Sequence, residues 1–228
     1  MRPLESNLRP ATDPSTVPYD RTKRRLDLVA AVVLLVLLSP VLGAIALVLL
    51  VTQGRPILFR QRRTGLHGAR FSMLKFRSMR PDVHRTGTAS DHLRVTRIGR
   101  LLRATSLDEL PNLVNVVRGE MSIVGPRPML EQHIDHYSSA DHRMRHDVRP
   151  GITGLAQVNG RNDLEHVRRF EFDLAYVYRR SLVLDLHVLI RTIPTVLLRT
   201  GASGATPCPI GATDLESSDD EERVLVAA

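Results

Sequence analysis

"VVLLVLLSPVLGAIALVLLV", Val32 to Val51, is the longest apolar run in the chain, and Ser39-Pro40 lies near its middle. Leu28 to Val51 makes 24 residues. At about 1.5 Å per residue, a straight helix of that length would cross the ~30 Å hydrocarbon core of a bilayer. A proline inside a helix removes one N–H and clashes with the carbonyl four residues back, a penalty of ~3 kcal/mol. Ser39 can hydrogen-bond a carbonyl freed in this way, and Gly43 eases close packing. Three readings compete. A cleavable signal peptide has the basic start and an "AIA" at 44–46, but the apolar run continues to Val51. A kinked spanning helix is acceptable, because prolines are tolerated in such helices. A re-entrant hairpin, entering and leaving one face, accounts for the flanks. Arg21, Lys23, Arg24 and Arg25 precede the run; Arg55, Arg60, Arg62 and Arg63 follow it. Positive charge marks the cytoplasmic side, and a spanning helix would strand one cluster on the wrong side. The residues alone leave hairpin and span both open. Asp27 is placed to pair with the basic cluster at the interface.

The chain has 228 residues and a net charge of +8, enough length for one ordinary domain plus extras. Six acids against Arg223 give residues 214–228 a net −5, which leaves +13 on residues 1–213. Such a body seeks phosphates: nucleic acid, an anionic membrane face or phosphorylated substrates. The single cysteine, Cys208, excludes a disulfide framework or a Cys-based zinc site within one chain. Aromatic residues are only 4%, a poor supply of stacking platforms, so a nucleic-acid binder is disfavoured.

Residues 1–20, with four prolines and little periodicity, read as a disordered N-terminus, and 200–228 as a disordered acidic tail. Between them, "PILFRQ" and "RFSMLKF" look like short strands around the turn-forming "TGLHG" at 64–68. Ile98, Leu101, Leu102 and Thr105 have helical spacing. A second helix is predicted over Glu109–Arg118, with Asp108 as its N-cap, Pro111 in its first turn and Gly119 at its C-terminal cap. "VGPRPML" (124–130) and "VRPGITGLAQVNGRND" (148–163) read as Pro/Gly-marked loops. Two further helical pieces, "LEHVRRFEFDLAYVYRR" and "LVLDLHVLIRTIPTVLL", follow. The fold class expected is α+β, mostly helical with a short β-hairpin.

Asp108 and Glu109 carry two readings. As structure, they cap a helix and suit its dipole. As chemistry, a helix N-terminus attracts phosphate, and a carboxylate held there stays ionised and can attack phosphorus. Cations must then shield the converging charge. Lys75 and Arg77 share a face if "LKFRSM" is a strand. Arg127 in "GPRP" and Arg149 in "VRPG" are braced by prolines, and Arg161 follows "QVNG". Arg binds phosphate bidentately; against this, most surface arginines simply face water. No G-x-x-x-x-G-K-[ST] or G-x-G-x-x-G loop is present, and the nine histidines, His133 and His136 among them, lack companions at metal-ligand spacing.

Six segments in order are specific together. They are "KRRLDLVAAVVLLVLLSPVL", "PILFRQRRTG", "FSMLKFRSM", "TRIGRLLRATSLDELPNLVNVVRGEMSIVGPRPML", "VRPGITGLAQVNGRN" and "DLAYVYRRSLVLDLHVLIRT". From about Lys23 to Leu198 the chain resembles the bacterial sugar transferase family, monotopic phosphoglycosyl transferases that prime polysaccharide and glycoconjugate assembly. The resemblance implies attack by Asp108 on the β-phosphate of a UDP-sugar, loss of UMP, and passage of the phosphosugar to a polyprenol phosphate, usually undecaprenyl phosphate. Glu109 would complete an Asp-Glu dyad. Mg²⁺ would lie near Asp108. Arg127 and Pro128 would help bind nucleotide, with Arg149, Lys75 and Arg77 on phosphates. Ser39-Pro40 would turn the membrane helix back to the same face.

The organisation implied is a re-entrant membrane helix at 21–54 and a catalytic domain at 55–199 with interfacial amphipathic helices, on the cytoplasmic face of the plasma membrane. Membrane lipids are implied partners, nucleic acid is not, and a homo-oligomer is left open. The product would feed exopolysaccharide, capsule, O-antigen or glycoprotein glycan synthesis. "LVLDLHVLIRTIPTVLL" is read either as a helix resting on the bilayer or as one packed in the core. Asn112 stands where the family often has Gln. A non-catalytic, membrane-anchored basic scaffold is the competing class.

Overall fold

Pro40 has no N–H to give the carbonyl of Val36, and the chain bends at that point in the computed structural model, which describes residues 18–80, 94–130, 144–160 and 166–197. Helix α1 (Pro18–Leu37) and helix α2 (Ser39–Gln53) are bent by 60° relative to a straight continuation. The Ser39 hydroxyl donates to Val36 O at 2.8 Å, taking the acceptor that Pro40 leaves empty. Leu38 N and Leu42 N still donate to Leu34 O and Leu38 O, so the bend disturbs little else of the ladder. The pair is an open V rather than a closed hairpin. Gly43 therefore eases no packing: nothing lies within 4 Å of a Cβ placed on it. Among the described residues no single helix is long and apolar enough to cross a membrane, whereas the bent pair qualifies together. Helix α1 starts at Pro18, inside the stretch read as disordered.

Strands β1 (Leu58–Thr64) and β2 (Arg70–Phe76) form the expected antiparallel hairpin, in register from Leu58 opposite Phe76 to Thr64 opposite Arg70. Helix α3 (Arg97–Ala104) follows, capped by the Thr96 side chain, which accepts from Gly99 N at 2.9 Å. Gly99 presses on the end of β2; a Cβ there would meet Ser78 O at 1.9 Å. Helix α4 is shorter than predicted, Asn112–Arg118. Pro111 cannot donate back to Leu107, so the α-ladder cannot run through it. Leu107–Glu109 forms a separate 3₁₀ turn, and Asp108 lies within that turn rather than capping α4. Gly119 closes α4 at φ 84, as anticipated.

Strands β3 (Ser122–Val124) and β4 (Gly151–Thr153) pair in parallel within stretches read as loops. They are three residues each, too short to show alternation, and their partners are distant in sequence. Helices α5 (Leu155–Val158), α6 (His166–Arg179) and α7 (Leu182–Leu197) complete the described chain. The fold class is therefore mostly helical with two small sheets. The N-terminal 1–17 and the acidic tail lie outside the described residues, as do His133, His136, Arg161 and Cys208.

Three apolar clusters hold these elements. Ala31 of α1 packs with Phe71, Met73, Leu113, Val116 and Met121. Leu49 of α2 packs with Phe76 and Leu102. Val124, Val148, Val158, Tyr176, Val177 and Val188 form the third. The outer faces of α1 and α2 stay apolar and exposed, as at Val29, Val36, Leu47 and Val51. Helix α7 packs one side into the core and leaves the other exposed, so the core-packing reading is borne out. Val188 is buried in the core, while Leu182, Val183, Leu186, Ile190 and Ile193 face outward, Val183 at 79% exposure.

Asn115 stitches α4 to the hairpin. Its side chain accepts from Leu74 N at 3.1 Å and donates to Ser72 O at 2.8 Å and Glu120 Oε2 at 2.6 Å. It is fully buried, so Asn115→Ala leaves the Leu74 N–H without a partner. A buried polar group orphaned in this way costs about 1–3 kcal/mol. Thermal unfolding in detergent should show a lowered Tm for this variant, and an unchanged Tm would remove Asn115 from this role.

Candidate active site

The left-handed backbone at Ser106 (φ 57) turns the chain out of α3 and into the 3₁₀ turn that presents Asp108 and Glu109. Asp108 is 8% exposed and forms no ion pair among the described residues. Burial, the largest influence, raises its carboxyl above the ordinary 3.8, and the negative charge of Glu109 raises it further. Lys75, Arg103 and the backbone N–H of Asp108 act in the opposite direction. The free helix terminus expected to keep Asp108 ionised is thus replaced by nearby side-chain cations.

Glu109 is the organised member of the pair. Its Oε1 accepts from Lys75 Nζ at 2.6 Å and lies 3.5 Å from Arg127 Nη2. Lys75 reaches it from β2, the strand beside the turn. Burial pulls the Lys75 ammonium below its usual range, and Glu109 counters this. Arg127 comes from the "GPRP" segment that leaves β3. That segment is held on both sides. Arg145 donates to Arg127 O at 2.8 Å and is also paired with buried Asp173 on α6. Arg63 of β1 donates to the carbonyl of buried Pro128 at 3.0 Å, and Thr64 N donates to Met129 O at 3.1 Å. Burial and the neighbouring Arg127 pull Arg63 down to about 10, so it stays charged at neutral pH.

The structure thus gathers Asp108, Glu109, Lys75, Arg127 and Pro128 from the sequence-predicted set. It takes two others elsewhere. Arg77 follows the end of β2, where strand alternation no longer applies, and donates to Gln53 O and to Gly54 O at the C-terminal end of α2. Arg149 donates to Gly119 O at 2.9 Å, beside Arg24, which donates to Val116 O and Val117 O. Both arginines therefore serve the carbonyl end of α4, opposite the end near Asp108. Arg63 and Arg103 were missed. Arg103 lies five residues before Asp108 on α3 and is fixed by a 2.8 Å bond to Ser78 Oγ. Its spacing was visible, but the intervening turn that brings it back was not. Asn112 is fully buried, with no partner for either amide atom among the described residues.

A buried carboxylate with no direct ion pair among the described residues thus lies beside a second one that is paired with Lys75 and Arg127. The bacterial sugar transferase family matches residues 18–199, and the chain belongs to it. It is 45% identical over 207 residues to the UDP-glucose:undecaprenyl-phosphate glucose-1-phosphate transferase of Caulobacter vibrioides, covering 86% of this chain and 77% of that protein. It is 38% identical over 226 residues to the exopolysaccharide production protein ExoY of Rhizobium meliloti, covering 87% of this chain and 100% of the relative. The Escherichia coli protein named UDP-glucose:undecaprenyl-phosphate glucose-1-phosphate transferase is 42% identical, and the match spans 39% of its length.

The opposing influences on Asp108 can be separated by substitution. Lys75→Met removes a positive charge that favours the carboxylate, so the Asp108 midpoint should rise. Glu109→Gln removes a negative charge that disfavours it, so the midpoint should fall. Carboxyl-carbon NMR of aspartate-labelled protein reads both directions; shifts of the same sign would refute this electrostatic account.

Proposed function

We propose that the protein transfers a sugar-1-phosphate from a UDP-sugar to a polyprenyl phosphate through a covalent aspartyl phosphosugar. The observation that carries this reading is the unpaired, buried carboxylate of Asp108 beside a cation-saturated Glu109. An Asp108 oxygen attacks the β-phosphorus, the bond from that phosphorus to the bridging oxygen breaks, and UMP leaves with the electron pair. A phosphate oxygen of the acceptor then attacks the same phosphorus and Asp108 departs as carboxylate. Lys75, Arg103, Arg127 and Arg63 counter the charge that converges in both steps. Glu109 holds Lys75 and Arg127 in position. The relatives' names make UDP-glucose the first donor and undecaprenyl phosphate the first acceptor to test.

Mg²⁺ is the proposed cofactor, and the donor set suits it. No group of three His, Cys, Asp or Glu residues converges among the described residues, so a fully protein-made cage is absent there. Mg²⁺ commonly takes one or two carboxylates, several waters and substrate phosphate oxygens. Asp108 would hold it, since Glu109 Oε1 is already occupied by Lys75 and Arg127. When bound, the ion supplies charge neutralisation to the diphosphate.

The bent pair α1–α2 is proposed to enter and leave one leaflet of the plasma membrane, with the catalytic body on the cytoplasmic face. Its exposed apolar flanks and the outward face of α7 would bury themselves in lipid, and the basic flanks would meet anionic headgroups.

Two experiments test this reading. Purified protein incubated with UDP-glucose and Mg²⁺, without acceptor, should yield a phosphohexose adduct on the peptide containing Asp108, seen by mass spectrometry. Asp108→Asn should lose the adduct and the transfer while still sedimenting with membranes; full turnover in that variant would eliminate the assigned nucleophile. Single cysteines from Arg21→Cys and Arg55→Cys, each in a Cys208→Ser background, should both resist an impermeant thiol reagent until the cells are permeabilised. Labelling of one of them in intact cells would replace the re-entrant pair with a span.

A further inference from the structure

A cavity of about 600 Å³ opens where α2 ends, lined by Thr52, Gln53, Arg77, Arg80, Thr96 and Arg97. Neither Asp108 nor Glu109 lines it. Three of its walls carry guanidinium groups. Arg77 is engaged with the last carbonyls of α2. Arg80 and Arg97 are exposed, and no hydrogen bond engages either guanidinium among the described residues. Gln53 Oε1 is buried there and lacks a donor among the described residues, although its Nε2 donates to Thr96 Oγ1 at 3.1 Å.

We propose that this cavity binds the phosphate monoester head of the lipid acceptor. The inference rests on the transfer reading above and assigns its acceptor subsite. Arg80 and Arg97 take the phosphate oxygens. A lipid is favoured over a soluble phosphate by what adjoins the cavity. Thr52 and Gln53 are the last turn of α2, whose Leu47, Val48, Leu50 and Val51 are exposed just below. A prenyl chain lying along that flank places its phosphate at the arginines. Hydrogen bonds link the cavity wall to a residue whose charge acts on Asp108. Thr96 Oγ1 contacts Ser78 O, and Ser78 Oγ binds Arg103, one of the charges facing Asp108.

The test uses the full chain in detergent micelles, with Arg80→Ala, Arg97→Ala and the double variant. Binding of a radiolabelled short-chain prenyl phosphate is measured directly, alongside the acceptor KM and adduct formation from UDP-glucose without acceptor. Each arginine lost should weaken binding and raise the acceptor KM about tenfold, as expected for a charge-assisted hydrogen bond. Arg97→Lys should recover part of the loss, and adduct formation should be unchanged. Reduced adduct formation with normal acceptor binding would assign the cavity to the donor and overturn the proposal. Unchanged prenyl phosphate binding, with reduced sedimentation on phosphatidylglycerol vesicles, would make it a bilayer headgroup site and also overturn it. Displacement of the prenyl phosphate by equimolar inorganic phosphate would remove the lipid from the assignment. If the wild type forms no adduct, the covalent reading fails alone: arginine-dependent prenyl phosphate binding would still support the cavity's role, and its absence would end it.

Discussion

Asp185 ties the apolar N-terminal helix to the body of the protein. Its carboxylate accepts from Lys23 Nζ and Tyr19 OH, both at 2.6 Å, and from Tyr176 OH at 2.7 Å. Lys23 also lies 3.6 Å from Asp27, whose carboxylate takes the Ser122 hydroxyl at 2.6 Å. All of these groups are largely withdrawn from water. Removing one partner from such a set strands an uncompensated charge, a loss of about 3–5 kcal/mol, whereas the intact set contributes little net stability. What it supplies is position. A helix whose outer face is all valine and leucine has no preferred rotation against an apolar neighbour, and directional bonds fix that rotation.

The consequence runs directly to the catalytic turn. Asp27 grips Ser122 and, at 3.4 Å, Ile123 N, the first two residues of β3. Tyr176 OH lies 3.0 Å from Val124 O, the last residue of β3. The next residues are the "GPRP" segment, which places Arg127 against Glu109. The segment cannot drift sideways either. Gly125 sits so close to the Arg149–Gly151 backbone that a Cβ on it would come within 2.5 Å of Arg149 O. The apolar N-terminal helix, the short parallel strand and the cation beside Glu109 are therefore linked through hydrogen bonds and the backbone between them. The pairing of Asp27 with the basic cluster, expected from the sequence, is present at Lys23, and Lys23 and Arg24 are also a structural joint to α7 and α4.

Much of this was legible because it is local. Ser39-Pro40 marks the bend because the missing N–H and its substitute hydroxyl belong to adjacent residues, one turn from the shared acceptor Val36 O. Alternation in "RFSMLKF" marks β2, and Gly119 marks the end of α4. The dyad was legible as two adjacent acids before a helix. What escaped depends on distant pairing. Strands β3 and β4 are too short to carry a pattern, and their parallel register exists only once the intervening chain is folded. Arginines were the hardest to place, since residue type says that a phosphate or a carbonyl will be found but not which. Arg77 and Arg149 found helix carbonyls, while Arg63 and Arg103 came to the dyad from β1 and α3.

Ser78 shows why the spacing around the dyad is set by packing rather than by loops. Its hydroxyl accepts from Arg103, and its carbonyl receives Thr96 N at 3.2 Å. The same carbonyl crowds Gly99, where no side chain fits. Helix α3 is thereby pressed onto the end of β2 at a fixed height, with its N-terminal residues facing the end of α2 and its last turn facing Asp108. Any side chain at position 99 would lift the helix and carry Arg103 away from the carboxylate. A glycine with ordinary helical geometry thus sets the distance between Arg103 and the Asp108 turn, through the close approach of two backbones and not through any conformation unique to glycine.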